Sequence, residues 1–271
     1  MIPAAFDYHR PASVDEAIQL LSDDAKLLAG GHSLLPAMKL RLSTPGALID
    51  IGRLAELYYI KEDGGAIAIG ATTTHYQIES SDLVQSKASA LALAASVIGD
   101  PLVRNKGTIG GSIAHADPAA AYPAAILALG AEITVKGPGG ERTISADEFF
   151  VDLFMTALAD DEIITEIRVS AADKSSYAKF PHPASRFAVV GCAAASSGGA
   201  VRVAFTGVAN AAFRDTGVEE ALGGNLSEDS IGAAAEKAAD GAEVLSDNFA
   251  GEDYRRHLAK VFARKALSAI A

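Results

Sequence analysis

The chain of 271 residues contains a single cysteine, Cys192, and no tryptophan. One thiol excludes an intrachain disulfide, a Cys-x-x-Cys redox pair and an iron–sulfur cluster ligated within the chain. Cys192 sits in the apolar run AVVGCAAASS and reads as a buried structural thiol. Positive charge is also short, with 23 Lys and Arg against 34 Asp and Glu, giving a net charge of −11. That balance excludes the basic stripe of a nucleic-acid binder and a surface that seeks anionic lipid. The longest apolar stretches, ALALAASVIG and AAAYPAAILALGA, fall short of the roughly 20 residues needed for a membrane span. The start, MIPAAFDYHRP, has neither a basic region nor an apolar core of the secretory type. A soluble, cytoplasmic protein is expected. None of the six histidines pairs at H-x-x-x-H or similar spacing, so no protein metal site is expected.

What is present is a mixture of helical and strand patterns, which indicates an α+β architecture rather than regular βαβ winding. Ser13 to Ser22 reads as a helix with Ser13 and Glu16 as a capping box and Val14, Ala17, Ile18 and Leu21 on one face. AKLLA and ALIDIG read as short strands, 65–75 as a β-rich run, and 83–99 as a helix. Residues 99–119 read as a long loop leading to a helix near 120–129. AEITVKGPGGERTIS reads as a hairpin turning at Gly137–Gly140, followed by the strand DEIITEIRV. SSYAKFPHPASRF, residues 175–187, is polar and proline-bearing and reads as a boundary. Beyond it lie two strands around a Ser-Gly-Gly turn, a helical stretch at 227–245 and a final helix with Tyr254, Leu258, Val261 and Phe262 on one face. The adjacent Tyr254–His257 cluster reads as a solvated helix face or a subunit contact.

Two segments pair glycines with a hydroxyl: Ala29-Gly30-Gly31-His32-Ser33 and Thr108-Ile109-Gly110-Gly111-Ser112. Glycine lets main chain approach a ligand closely and tolerates positive φ. Successive backbone N–H groups in such a turn make a concave anion site, and a neighbouring hydroxyl adds a donor. Taken alone, each segment is more often a purely structural tight turn. Neither matches G-x-G-x-x-G or the Gly-Lys-Ser/Thr of a P-loop. Ser33 has no nucleophile-elbow motif around it, which disfavours a serine hydrolase.

Taken together, KLLAGGHSLLPAMKLRL and GDPLVRNKGTIGGSIAHADPAAAYPAA resemble the FAD-binding medium subunit of molybdenum hydroxylases, the carbon monoxide dehydrogenase medium subunit family. YAKFPHPASRFAVVGCAA and DYRRHLAKVFARKAL are similar to the same family, so the resemblance covers essentially the whole chain. It implies a two-subdomain FAD module of the vanillyl-alcohol-oxidase/para-cresol-methylhydroxylase type at 1–176, divided near residue 55, and an α+β domain at 177–271. It implies that Ala29 to Ser33 and Thr108 to Ser112 hold the pyrophosphate of non-covalent FAD. His32 and His115 would bond within their segments or meet the flavin. Asp117 would lie near the flavin or ribityl groups, Ile163 or Ile164 would meet the flavin region, and Lys179 or His182 would lie near the isoalloxazine. Lys179 reads equally as a solvated lysine. The family commonly carries an acidic residue at the position of Ala121, and this chain does not.

The activity implied is that of an oxidoreductase subunit acting in a complex. A large subunit with molybdopterin and a small subunit with [2Fe-2S] clusters would be its partners, and the FAD would pass electrons to an external acceptor. The competing expectation is a flavin-free scaffold of the same fold. No pair of residues in this chain suggests a self-sufficient oxidase.

Overall fold

The computed structural model describes residues 1–271. Its first layer is a parallel sheet of order β1-β3-β2, from β1 (Asp7–His9), β2 (Ala25–Leu28) and β3 (Ala47–Asp50). Helices α1 (Val14–Leu20) and α2 (Leu34–Lys39) make the crossovers. Ser13 caps α1, its hydroxyl accepting from the Glu16 amide. The Glu16 carboxylate accepts from the amide of Ala12 at 2.7 Å, one residue before the expected capping-box partner. Val14 and Ala17 of α1 are buried with Ile49 and Ile51 in a small core.

The second unit is an antiparallel sheet of order β4-β5-β10-β6-β7. It comprises β4 (Ile60–Asp63), β5 (Ala66–Gly70), β6 (Glu132–Gly137), β7 (Gly140–Ser145) and, after a long excursion, β10 (Ile163–Ser170). Between β5 and β6 the chain forms α3 (His75–Ser80), α4 (Asp82–Lys87), α5 (Ser89–Ser96), α6 (Pro101–Arg104), α7 (Ile109–His115) and α8 (Ala121–Ala128). Between β7 and β10 lie α9 (Ala146–Phe149) and a small hairpin, β8 (Phe150–Asp152) with β9 (Met155–Thr156). The helix expected over 83–99 is thus two helices that break at Ala88 and Ser89. The Ser89 hydroxyl donates to the Ser175 carbonyl, which ties the break to the next sheet. The long loop expected before 120 holds α6 and α7, because Asp100 and Thr108 each cap a short helix. Every residue of α8 is buried, which explains why it shows no polar face.

The chain leaves this sheet at Ser170 and enters a third at Lys174. This antiparallel sheet runs β11 (Lys174–Pro181), β12 (Ala188–Ser197), β13 (Ala200–Thr206) and β14 (Phe213–Arg214). The polar segment 175–187 carries strand structure. Its first half is an edge strand whose Ser175, Ser176 and Tyr177 are buried. Helices α5 and α8 pack on one face of the sheet, sharing a core of 35 buried residues with the second unit. On the other face pack α10 (Thr216–Leu222), α11 (Glu228–Ala235) and α12 (Glu252–Ser268). Helix α11 ends at Ala235, ten residues short of the helical stretch expected to 245. Cys192 is fully buried there, and burial pushes its thiol well above its ordinary pKa.

The Tyr254–His257 cluster is not a uniform solvated face. Arg255 is 5% exposed. Its guanidinium donates to the Val189 and Gly207 carbonyls, each at 2.6 Å, and pairs with Asp247. The long side chain places its charge at the end of the sheet, where carbonyl oxygens need donors.

Candidate functional site

The first glycine segment lies at the C-terminal end of β2, where the chain turns into α2. Gly31 takes φ +73°, a left-handed conformation that a side chain would strain. Its carbonyl accepts from the Leu35 amide at 3.0 Å, and the Ser33 carbonyl accepts from Ala37 at 3.2 Å. The amides of Gly30, Gly31, His32 and Ser33 donate to nothing in the chain. The Ser33 hydroxyl caps nothing either. His32 folds back through Nδ1, 2.8 Å from the Gly30 carbonyl oxygen. The result is a row of adjacent unpaired donors on an open turn, the arrangement that concentrates partial positive charge for an anion.

The second segment is the start of a helix. Thr108 caps α7, and its hydroxyl accepts from the Gly111 amide at 3.2 Å. The Ile109 amide donates to Thr73 and the Gly110 amide to Ala71, at 3.1 and 2.9 Å. The expectation that this segment offers free amides as a loop is therefore corrected. The Ile109 and Gly110 amides are engaged by Thr73 and Ala71 and those of Gly111 and Ser112 by Thr108, and what the segment presents is the exposed Gly111 edge and the Ser112 hydroxyl. Of the glycines in the two segments, only Gly31 has positive φ.

The two segments meet. A Cβ on Gly30 would lie 2.2 Å from the Lys106 carbonyl oxygen and 2.7 Å from Gly107 Cα, and a Cβ on Gly111 would face Ala29. Segments about 80 residues apart thus close on a seam one backbone thick. The sequence points to both glycine pairs but not to Lys106 and Gly107, which form the floor of the seam. It also points past His75. That ring is 5% exposed, and its Nδ1 is 3.1 Å from the hydroxyl of the fully buried Tyr122. Burial, with His32 and Arg104 nearby, pushes His75 down to about 3, so the ring is neutral. The Thr74-x-x-Gln77 capping box, present in the structure, was the available signal for this corner.

The side chains of the remaining expected residues do not hydrogen-bond either glycine segment. His115 ends α7 and stacks on Phe154, ring centres 5.1 Å apart. Asp117 accepts from the Ala119 amide at 2.9 Å and shapes the turn into α8. Ile164 is buried in the large core beside a bulge in β10. Lys179 is not a freely solvated lysine: its Nζ donates to the carbonyls of Val97 and Arg186 at 2.7 and 2.8 Å. Burial, followed by Arg186, lowers its pKa to about 8. His182 accepts from the amides of Ala184 and Ser185 and packs on Phe249 at 4.5 Å.

Ala121 is the first residue of α8 and is 4% exposed. Ala121→Asp would bury a carboxylate unless a ligand hydrogen-bonds it. The flavin-free variant is expected to melt roughly 5 °C or more below wild type. Added FAD should raise its Tm by more than it raises the wild type's. Equal melting temperatures without flavin would show that position 121 is wet.

Comparison with known proteins decides the family. Residues 4–171 match the model of the FAD binding domain in molybdopterin dehydrogenase, and residues 175–270 match the CO dehydrogenase flavoprotein C-terminal domain. The chain belongs to this FAD-binding flavoprotein family of molybdenum hydroxylases. The carbon monoxide dehydrogenase medium chain of Hydrogenophaga pseudoflava is 43% identical, the match covering 99% of this chain and 98% of that one. The glyceraldehyde dehydrogenase medium chain of Sulfolobus acidocaldarius is 36% identical over the whole of both chains. A solved structure of the H. pseudoflava carbon monoxide dehydrogenase, lacking the Mo-pyranopterin moiety, superposes with a TM-score of 0.94. It is 44% identical and covers 100% of this chain and 98% of that one. The α+β FAD-binding fold with a C-terminal domain is therefore that of the family.

Proposed function

We propose that this chain is the FAD-binding electron-transfer subunit of a molybdenum hydroxylase complex in the cytoplasm. The observation that carries the reading is the row of unpaired amides at Gly30–Ser33, backed against Lys106–Gly107. It fits a diphosphate: the amides donate, the Ser33 and Ser112 hydroxyls add donors, and the glycines leave room for close approach. In this reading Ala29 to Ser33 and Thr108 to Ser112 hold the pyrophosphate without a covalent bond. Ile109 and Gly110 act by fixing α7 to Ala71–Thr73. His115, Asp117, Ile164, Lys179 and His182 line the path of the flavin end, with Lys179 held by two carbonyls as a fixed cation.

The bound isoalloxazine supplies the redox chemistry, and the chain binds, orients and tunes it. A single buried cysteine cannot ligate an iron–sulfur cluster. Electrons therefore come from [2Fe-2S] clusters in a small partner subunit, downstream of a molybdopterin-binding large subunit, and leave to an external acceptor. Ala121 favours a second reading, a scaffold that has lost its flavin. Purification of the assembled complex tests the first. The chain is expected to co-purify with a molybdopterin subunit and an iron–sulfur subunit, and the flavin absorbance to bleach after the cluster absorbance on reduction. A complex without flavin absorbance would favour the scaffold.

A further inference from the structure

The small parallel sheet brings a carboxylate to the edge of the first glycine segment. Strands β2 and β3 lie side by side with Leu28 opposite Asp50, and α2 connects them. The Ile51 amide donates to the Leu28 carbonyl at 2.9 Å, so the two strands end level. Beyond Leu28 the chain enters the turn of unpaired amides. At the same level on β3 stands Asp50, 20 residues after Gly30. A Cβ on Gly52 would lie 3.1 Å from Asp50 Oδ1 and 3.2 Å from the Ala29 carbonyl oxygen. The carboxylate and the backbone of the segment thus border the same methyl-sized space.

Asp50 has acceptor capacity to spare. Its Oδ2 accepts from the Tyr8 hydroxyl at 2.5 Å and its Oδ1 from the Gly52 amide at 2.9 Å, and these are its only hydrogen bonds. Each carboxylate oxygen accepts two, so two positions are left. Tyr8 belongs to β1, on the far side of β3, so the carboxylate is held from its own loop and from a neighbouring strand. The pair is open to solvent, with Tyr8 53% exposed and Asp50 half-buried. The bond to Asp50 raises the Tyr8 hydroxyl above its ordinary pKa while Arg10 and Arg53 act the other way, which puts two cations near the pair. They offset repulsion between the Asp50 carboxylate and a bound diphosphate.

A sugar diol fits this corner. A carboxylate accepts only, so its ligand must donate, and phosphate oxygens do not. The turn lacks G-x-G-x-x-G, but the placement is the one by which parallel α/β units hold a dinucleotide. A glycine turn after one strand takes the pyrophosphate, and an acidic residue ~20 residues on takes the ribose hydroxyls. We propose that Asp50, positioned by Tyr8, accepts hydrogen bonds from the ribose hydroxyls of the adenosine half of the dinucleotide held at Gly30–Ser33. This rests on the FAD reading above, and it sets the adenosine over the small parallel sheet. Hydrogen bonds to a charged acceptor predict a loss of roughly 10- to 100-fold in affinity when they are removed.

The test titrates FAD, and FAD whose adenosine ribose lacks both hydroxyls, into the flavin-free full-length chain and its Asp50→Ala variant. The analogue keeps the diphosphate, the adenine and the ribityl chain. Wild type is expected to bind FAD roughly 10-fold or more tighter than the analogue, and Asp50→Ala to bind the two within about twofold of each other. An Asp50 that only shapes the turn would weaken both ligands and leave their ratio unchanged. An unchanged ratio in the variant, or no preference in wild type, overturns the proposal. If Asp50→Ala does not fold, Asp50→Asn replaces it, since its amide can still bond Gly52 and Tyr8 while the charge is gone. The preference for FAD should then fall several-fold, because a neutral acceptor bonds more weakly. An Asn variant with the wild-type preference overturns the contact. A wild type that binds neither ligand would sink the FAD reading itself, and the ribose contact with it.

Discussion

Gly30→Ala is expected to weaken FAD binding by on the order of 100-fold while the chain stays folded. A Cβ there would stand 2.2 Å from the Lys106 carbonyl oxygen, 2.7 Å from Gly107 Cα and 2.9 Å from the Lys106 carbonyl carbon. All three are backbone atoms and cannot rotate away as a side chain would. The seam must open, and the turn that carries the unpaired amides must move with it. Overpacking of this kind costs about 1–3 kcal/mol, so affinity should fall on the order of 10- to 100-fold from sterics alone. Displacing the row of donors adds to that. The large core and the C-terminal core lie elsewhere, so the circular dichroism spectrum should be unchanged. Gly111→Ala is the matched control: its Cβ would crowd the Thr108 hydroxyl at 2.8 Å, a group at the end of a rotatable side chain. Its loss should be clearly smaller. Equal affinity of Gly30→Ala and wild type for FAD would show that the seam does not hold the cofactor.

Arg255→Met is expected to lower the melting temperature of the chain markedly. The substitution keeps most of the volume and removes every hydrogen bond. The Val189 and Gly207 carbonyls each lose a 2.6 Å partner at the edge of a buried sheet. Leaving such groups unpaired costs roughly 1–3 kcal/mol apiece, so a loss of about 3 kcal/mol or more is expected. The pair with Asp247 adds a pH dependence. Burial raises the Asp247 carboxyl, but the amides of Ala250 and Phe249 and the Arg255 charge outweigh it and hold it below its ordinary value of 3.8. A carboxylate depressed in the folded state contributes stability that is fully present above the unfolded value and is lost as pH falls through the folded one. The difference between wild type and variant should therefore be largest near neutral pH and shrink below about pH 3.8. Calorimetry across pH reads both effects. A variant that melts with wild type at pH 7 would contradict the role given to Arg255.

The sequence was most legible where a local rule acts alone. Ser13 caps a helix and Gly137–Gly140 turns a hairpin because nothing elsewhere in the chain competes with those preferences. It was misleading where a contact from far away decides. Helix α7 reads as loop because its glycines are poor helix formers, yet Thr108 caps it and Ala71 and Thr73 engage its first amides. Arg255 reads as solvated because charge alone does not show that Val189, Gly207 and Asp247 converge on it. The glycine pairs announce a site by composition. That they meet, and that Lys106, Gly107 and His75 form the back of the seam, is a property of the fold: only the folded chain sets Gly30 against Lys106 and Gly107, and Gly107 against His75.

The reading stands or falls on the cofactor. The most direct measurement is to saturate the purified chain with FAD, remove the excess, precipitate the protein with acid and identify the flavin in the supernatant. The account predicts FAD, close to one per chain, with a colourless pellet. FMN in place of FAD, flavin retained in the pellet, or no flavin after saturation would contradict it.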